Sequence, residues 1–177
     1  VADLLDVPVS TAVEGIASVT ASKMRMETIR VGNLTLILDC YNANPQSVQS
    51  ALDHLSVLDP KRAKVVFLGS MLELGNDSDQ LHQLILSQAL SLDLDLVVAT
   101  GLFASRSLER KFGKPKEDCG IVSVVDPYKA YEKVRERIVG DEVILLKASR
   151  GVSLEKLVPY FESDFGMQGV YAEGVGI

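Results

Sequence analysis

Hydrophobic and polar positions along the chain alternate between two periods. Residues 34–38 read LTLIL, an uninterrupted apolar run of the kind that fits a strand buried on both faces. Four more such runs follow: KVVFLG from Lys64, DLVVATG from Asp95, IVSVV from Ile121 and EVILLKAS from Glu142. Residues 26–30 form a further strand candidate, joined to LTLIL across Gly32-Asn33, a two-residue hairpin signal. Between the runs the period lengthens to that of a helix. Residues 46–58 place Val48, Ala51, Leu52 and Leu55 on one face, and residues 80–92 do the same with Leu81, Leu84, Ile85 and Ala89. Asp126-Pro127 supplies an N-cap followed by proline at the first helical position, and residues 77–80 offer a cap with a capping-box glutamine. Residues 2–19 suggest two short helical pieces separated by Pro8 and Ser10.

Strands alternating with helices of this length predict right-handed crossovers. The expected fold is α/β: Rossmann-like and doubly wound, a mostly parallel sheet with helices on both faces. Binding sites in such sheets lie in loops at the C-terminal ends of strands. That rule selects residues 39–47, 69–76, 101–103 and 147–151 for closer reading. The last stretch, from Gly166, is glycine-rich and aperiodic, and we expect a flexible tail at 166–177.

Composition narrows the classes. At 177 residues, 47% hydrophobic and 24% charged, the chain suits one folded domain, or one with the remnant of a neighbour. A net charge of -6 offers no general attraction to nucleic acid or an anionic membrane, and we expect neither as a partner. Cys40 and Cys119 lack a CxxC spacing, and only His54 and His82 could join them, so neither disulfide nor zinc is suggested and a reducing cytoplasm fits. No apolar run reaches the roughly 18 residues of a membrane span. The chain opens abruptly on VADLLDVPVS, and we expect residues 1–22 to be the remnant of a preceding domain.

Three loops carry the candidate chemistry. In residues 39–45, Asp39 could accept hydrogen bonds from vicinal hydroxyls, with Asn42 and Asn44 available to amides, or all three could merely cap the helix that follows. In residues 69–75 glycines stand at both ends, but the Gly-Lys-Ser/Thr ending of a phosphate loop is missing. Glu73 in this loop is either a partly buried orienting carboxylate or a solvent-facing residue. Lys147, Ser149 and Arg150 put an ammonium, a hydroxyl and a guanidinium within four residues, before a helix expected near Ser153, which suits a carboxylate or phosphate. Arg25 either reaches into an interdomain cleft or pairs with Glu27. His54 and His82 fit satisfied helix-face histidines better than catalytic ones. Asp164-Phe165-Gly166 matches the kinase magnesium tripeptide by chance, its companion motifs being absent.

Together these loops resemble the C-terminal domain of the Mur ligases. MRMETIRVGNLTLILDCYNANPQSVQSAL is similar to that family's Gly-Arg-x-Glu, strand pair and Asp-Ser-Tyr-Asn-Ala-Asn-Pro loop, and GSMLELG and LLKASRG to its Gly-Asp-Met-x-Glu-Leu-Gly and Val-Lys-Gly-Ser-Arg loops. The Tyr-Asn-Ala-Asn-Pro form is typical of the branch that adds D-alanyl-D-alanine to UDP-N-acetylmuramoyl-tripeptide. The resemblance implies a domain over residues 23–165 that closes on ATP and Mg2+ held mainly by a preceding central domain. It implies that Arg25 and Asp39 bind nucleotide, that Asn42 and Asn44 face the reaction cleft as substrate-binding residues, and that Lys147, Ser149 and Arg150 help hold the incoming dipeptide or its carboxylate. No catalytic residue or metal ligand is implied in this chain. The whole enzyme is then a bacterial, cytoplasmic monomer, with residues 23–25 as its hinge and the present chain inactive alone. A free-standing nucleotide-binding module, or a ligase for folate or another muramoyl peptide, are the alternatives. Relatives of the latter kind usually carry histidine in the Asn42 turn. Three positions depart from the family pattern: Met24 replaces a glycine, Ser70 an aspartate and Ala148 a glycine, the last being strained if its φ is positive.

Overall fold

A computed structural model describes residues 6–18, 23–107 and 119–166. Six strands, β1 (Glu27–Val31), β2 (Leu34–Asp39), β3 (Lys64–Leu68), β4 (Leu96–Ala99), β5 (Gly120–Ser123) and β6 (Val143–Lys147), make one sheet. Their order is β1-β2-β6-β3-β4-β5. Among the described residues only the β1 and β2 pairing is antiparallel, closed by the Gly32-Asn33 turn, with Val31 opposite Leu34. All other pairings are parallel. At the turn, Gly32 adopts φ 57°, and a side chain there would collide with the Phe165 carbonyl oxygen.

The helices are α1 (Val9–Ala17), α2 (Pro45–Val57), α3 (Ser78–Ser91), α4 (Gly101–Ser107), α5 (Pro127–Val134) and α6 (Val158–Phe165). Because successive strand side chains point to opposite faces, each apolar strand feeds two cores. Leu36, Leu38, Val65, Phe67, Ile144 and Leu146 pack with Tyr131, Val134, Phe161 and Phe165 of α5 and α6. Ile37, Val66, Leu68, Val97 and Leu145 pack with Val48, Leu52, Leu55, Ile85, Leu86 and Phe103 of α2, α3 and α4. Helices therefore cover both faces, as the alternation of strand and helix patterns predicts.

Local signals explain the starts of α2 and α5. Asn44 accepts the Ser47 amide at 2.9 Å while the Ser47 hydroxyl accepts the Asn44 amide, and Pro45 stands in the first turn. Asp126 accepts the Lys129 amide in the same manner. The cap expected from Asp77 and Gln80 does not form. A 3-10 turn at Gly75–Asp77 runs straight into α3, leaving Asp77 in a helical conformation with no side-chain cap bond. Nor does Pro8-Ser10 separate two helices: Pro8 caps and Ser10 lies inside α1, none of whose residues is buried. The earlier helical piece falls partly on residues 1–5 and the expected tail on 167–177, outside the described residues. The helix expected near Ser153 begins later, because Ser153 takes φ 59° between two 3-10 turns and the regular helix starts at Val158.

Both histidines lie on helices, and among the described residues only His82 is bonded into the structure. His82 is fully buried, its Nε2 accepting the Met71 amide at 3.0 Å and its Nδ1 lying 2.7 Å from the Ser78 carbonyl, which puts the proton on Nδ1. His54 is exposed on α2. Asp164 accepts the Tyr131 hydroxyl at 2.8 Å, an anchor between α5 and α6. Phe67, fully buried on β3, meets Phe161 edge-on at 5.9 Å between ring centroids. Phe67→Ala is expected to lower the unfolding free energy by about 3–5 kcal/mol, read as a reduced urea midpoint at unchanged slope.

Candidate functional site

The chain leaves β2, passes over the place later filled by β6, builds outward through β3, β4 and β5, and returns to insert β6 between β2 and β3. The last residues of three parallel strands thus line up at one edge: Lys147 is in register with Asp39 on one side and with Leu68 on the other. The three motif loops start from those residues. This reversal of strand order is where open α/β sheets place ligands.

Lys147 retains 1% of its side-chain exposure. Its Nζ lies 2.7 Å from Asp39 Oδ2 and donates to the Asn42 carbonyl at 2.6 Å. The ammonium expected to receive a ligand anion is instead sealed inside the protein and neutralised by Asp39. Above it, the loops are stitched together. The Ser149 hydroxyl donates to the Ala43 carbonyl at 3.3 Å and accepts the Leu72 amide at 2.9 Å, and the Ser149 amide donates to the Ser70 carbonyl at 3.1 Å. The Ser70 hydroxyl accepts the Leu102 amide at 2.9 Å.

What remains open is divided between two depressions. A cleft of about 710 Å³ is lined by Lys23, Met24, Tyr41, Asn42, Leu72, Glu73, Ser149, Arg150 and Gly151. A shallower hollow of about 450 Å³ is lined by Met26, Asp39, Asn44, Gln46, Ser47, Ser50 and Ala51. Asn42, Ser149 and Arg150 therefore share one cleft, Asp39 and Asn44 share the hollow, and Lys147 lies beneath. Asn44 Oδ1 is engaged by the helix cap, so capping accounts for at least part of its presence. Arg25 stacks on the Tyr41 ring, its guanidinium carbon 4.3 Å from the centroid. Glu27 accepts the Met24 amide at 2.8 Å. The Arg150 guanidinium donates to the Met24 sulfur at 2.9 Å.

Sequence reading missed Lys23, Tyr41 and Leu72 as cleft residues. The signal for Tyr41 was an aromatic ring two positions past Asp39 with a junction arginine to stack on it. Glu73 is exposed in the cleft, with φ 64°, so the orienting, partly buried alternative gives way. Among the described residues, no group of three or more His, Cys, Asp or Glu side chains is placed to hold a metal ion. No helix among them is long and apolar enough to cross a membrane. Cys40 and Cys119 are both buried thiols and are not joined to each other.

The profile of the Mur ligase glutamate ligase domain matches residues 24–150. The chain belongs to the Mur ligase family. A UDP-N-acetylmuramoyl-tripeptide–D-alanyl-D-alanine ligase of Rickettsia prowazekii is 30% identical over 90% of this chain and 34% of its own length. A ligase of the same name from Mycobacterium leprae is 31% identical over 81% of this chain and 31% of its own. A crystal structure of MurF from Acinetobacter baumannii superposes with a TM-score of 0.74 at 27% identity, covering 90% of this chain and 35% of that one. MurF from Thermotoga maritima, in complex with ADP, gives a TM-score of 0.69 at 24% identity over 92% of this chain and 35% of that one, a likeness of fold. The chain spans about a third of the length of the curated relatives it matches. The doubly wound fold expected from the alternation of strand and helix patterns is the one observed, and the family is the one the three loops resemble.

The departures from the Mur pattern acquire physical explanations. Met24 stands at φ 59°, a conformation that explains the family's glycine there. Ser70 retains an acceptor for the Leu102 amide without the charge of an aspartate. Ala148 does not have positive φ, and the expected strain is absent. Its methyl fills space left by Gly69, where a Cβ would approach Ala148 Cβ to 2.8 Å.

Two predictions follow from this packing. Lys147→Met and Asp39→Asn should each lower stability by about 3–5 kcal/mol, because each leaves an unmatched charge or carboxamide beside a buried partner. The double variant should lose less than the sum, as a double-mutant cycle in urea would show. Cys40, whose thiol donates to the Leu146 carbonyl at 3.2 Å, has its pKa pushed up to about 12, by burial first and then by the carboxylates of Glu155 and Asp39. The native state thus keeps a proton that the unfolded thiol releases. Stability should fall as pH rises above about 9, by at most about 1.4 kcal/mol per pH unit from this group, and Cys40→Ala should remove that share.

Proposed function

We propose that this chain forms one wall of the reaction cleft in an ATP-dependent ligase that joins D-alanyl-D-alanine to UDP-N-acetylmuramoyl-tripeptide. The observation that carries the reading is the convergence of all three motif loops on the end of β2, β6 and β3, inside the stretch matched by the Mur ligase profile. Relatives named for that reaction support the choice of substrates.

The residues fit a nucleotide sugar edge. Around Asp39 the hollow offers the Ser50 hydroxyl and the Gln46 carboxamide, a set suited to ribose hydroxyls, while the Ser47 hydroxyl is engaged by the cap of α2. Arg25, held over the Tyr41 ring, is preorganised to meet phosphate charge without losing much side-chain freedom. ATP supplies the phosphoryl group that activates the muramoyl carboxylate, and we assign the Mg2+ ligands and the phosphate-gripping lysine to a preceding domain. These 177 residues contain no Gly-Lys-Ser/Thr phosphate loop. Asn42, Ser149 and Arg150 face the dipeptide side, where Arg150 offers a fork for a carboxylate. Lys147 acts from below by fixing Asp39 and the Asn42 carbonyl. Asn44 contributes by setting the first turn of α2 under the hollow.

In this reading residues 1–22 come from the preceding domain, 23–165 form the closing domain and 166–177 its tail. The segment 23–25 is the hinge, and the whole is a monomer of the bacterial cytoplasm. The test is a chimera in which residues 23–166 replace the matching part of the Rickettsia prowazekii ligase. It should form the amide from UDP-N-acetylmuramoyl-tripeptide and D-alanyl-D-alanine with ATP, and Asp39→Ala should reduce turnover by about tenfold or more. A folded chimera with no turnover would overturn the reading. The 177-residue chain alone should show no ATP hydrolysis above its Asp39→Ala variant, whereas tight nucleotide binding by it alone would favour a free-standing binding module.

A further inference from the structure

We propose that Glu73 determines specificity in the cleft by holding the ammonium of a zwitterionic amino acid or short peptide whose carboxylate is met by Arg150. The proposal deepens the ligase reading and rests on it for the identity of the dipeptide. Three observations lead there. First, the cleft contains both signs of charge: Glu73 with Lys23 and Arg150. A ligand with one sign of charge would be attracted by one part of this lining and repelled by the other, whereas a zwitterion is matched at both ends.

Second, these charges are not spent within the protein. Among the described residues the Glu73 carboxylate and the Lys23 ammonium have no hydrogen-bond or ion-pair partner, and the Arg150 guanidinium makes its one contact with the Met24 sulfur. Third, Glu73 occupies a backbone conformation that L-residues other than glycine rarely adopt, φ 64°. Two residues later the same loop uses Gly75 for φ 59°. Glycine is therefore employed in this loop where the left-handed turn alone is required, and at position 73 a carboxylate is retained despite the strain.

The loop is also built to hold that carboxylate still. Buried Met71 anchors its start, with the Met71 amide bound to His82 and the Leu72 amide bound to the Ser149 hydroxyl. Ser149 precedes Arg150, so the hydroxyl that fixes the glutamate loop belongs to the loop carrying the guanidinium. With the Ser149 amide donating to the Ser70 carbonyl as well, two hydrogen bonds couple the loop of the glutamate to the loop of the guanidinium. Preorganisation of this kind raises selectivity because little ordering remains for the ligand to impose.

Calorimetry on the 177-residue chain with D-alanyl-D-alanine, its N-acetyl derivative and its C-terminal amide tests the assignment. Wild type should bind the free dipeptide about tenfold or more tightly than either blocked form. Glu73→Gln and Glu73→Gly should abolish the preference over the acetyl form and keep that over the amide, while Arg150→Gln should do the reverse. Glu73→Gly should also raise Tm, showing that the loss is not one of folding. Equal binding of the free and acetylated dipeptides, unchanged discrimination in the Glu73 variants, or no binding of the free dipeptide would overturn the proposal. Glycylglycine separates the two readings. If it binds as well as D-alanyl-D-alanine and with the same dependence on Glu73, the zwitterion site stands and the D-alanyl-D-alanine assignment falls.

Discussion

A lysine ammonium with 1% of its surface in contact with water is tolerated only if an opposite charge and hydrogen-bond acceptors surround it, and much of this protein's functional edge is arranged around that demand at Lys147. Asp39 provides the charge and the Asn42 carbonyl a second acceptor. The pair joins the last residues of two neighbouring parallel strands, so it depends on their register: a slip of either strand by one residue would turn one of the two side chains to the opposite face. In the observed register the pair ties the β2 loop to the β6 loop directly beneath the two depressions. The same carboxylate that borders the hollow is thus part of the structural lock, and its orientation is fixed before any ligand arrives.

The neighbouring loops are accommodated to this lock by size as much as by charge. Gly69 is small because Ala148, Val152 and Leu154 crowd its position. Gly101 is small because a Cβ there would meet the Ser70 hydroxyl, and its φ of 55° also favours glycine. Ser70 and Ser149 each use one hydroxyl to span two loops. These contacts make four strand ends into one rigid platform, which is the condition for holding charged side chains at defined separations in an otherwise open cleft. The Mur ligase departures at Ser70 and Ala148 remain within that plan, since each keeps the volume or the acceptor that its neighbours require.

The two depressions have different chemistry. Around Asp39 the lining is hydroxyl and carboxamide, and around Arg150 it is charged in both senses, with Tyr41 and Leu72 adding apolar surface. Arg25, 14 positions before Asp39, is brought to this edge by the short β1 hairpin and held by the Tyr41 ring. The backbone on either side of Arg25 is itself strained, with Met24 and Met26 both at positive φ. Such strain is sustained only where surrounding bonds fix it, here the Tyr41 amide to the Met24 carbonyl and the Met24 amide to Glu27.

The chain's own sequence determined the strands, because runs such as LTLIL and EVILLK are too apolar to lie anywhere but between two helical layers. It determined the starts of α2 and α5, because Asn44 and Asp126 act through bonds to residues three positions away. It also carried the three motif loops in an order that identified the family. It did not determine the cap at Asp77, whose local signal was overridden by a 3-10 turn, nor the fate of Lys147, which looked like an exposed receptor for anions. Whether that ammonium faces water or Asp39 depends on β6 being inserted between β2 and β3, a contact between residues more than a hundred positions apart. Local interactions are encoded within a turn of chain and can be read from it. Burial and charge pairing across the sheet arise from strand order, and only the tertiary structure decides them.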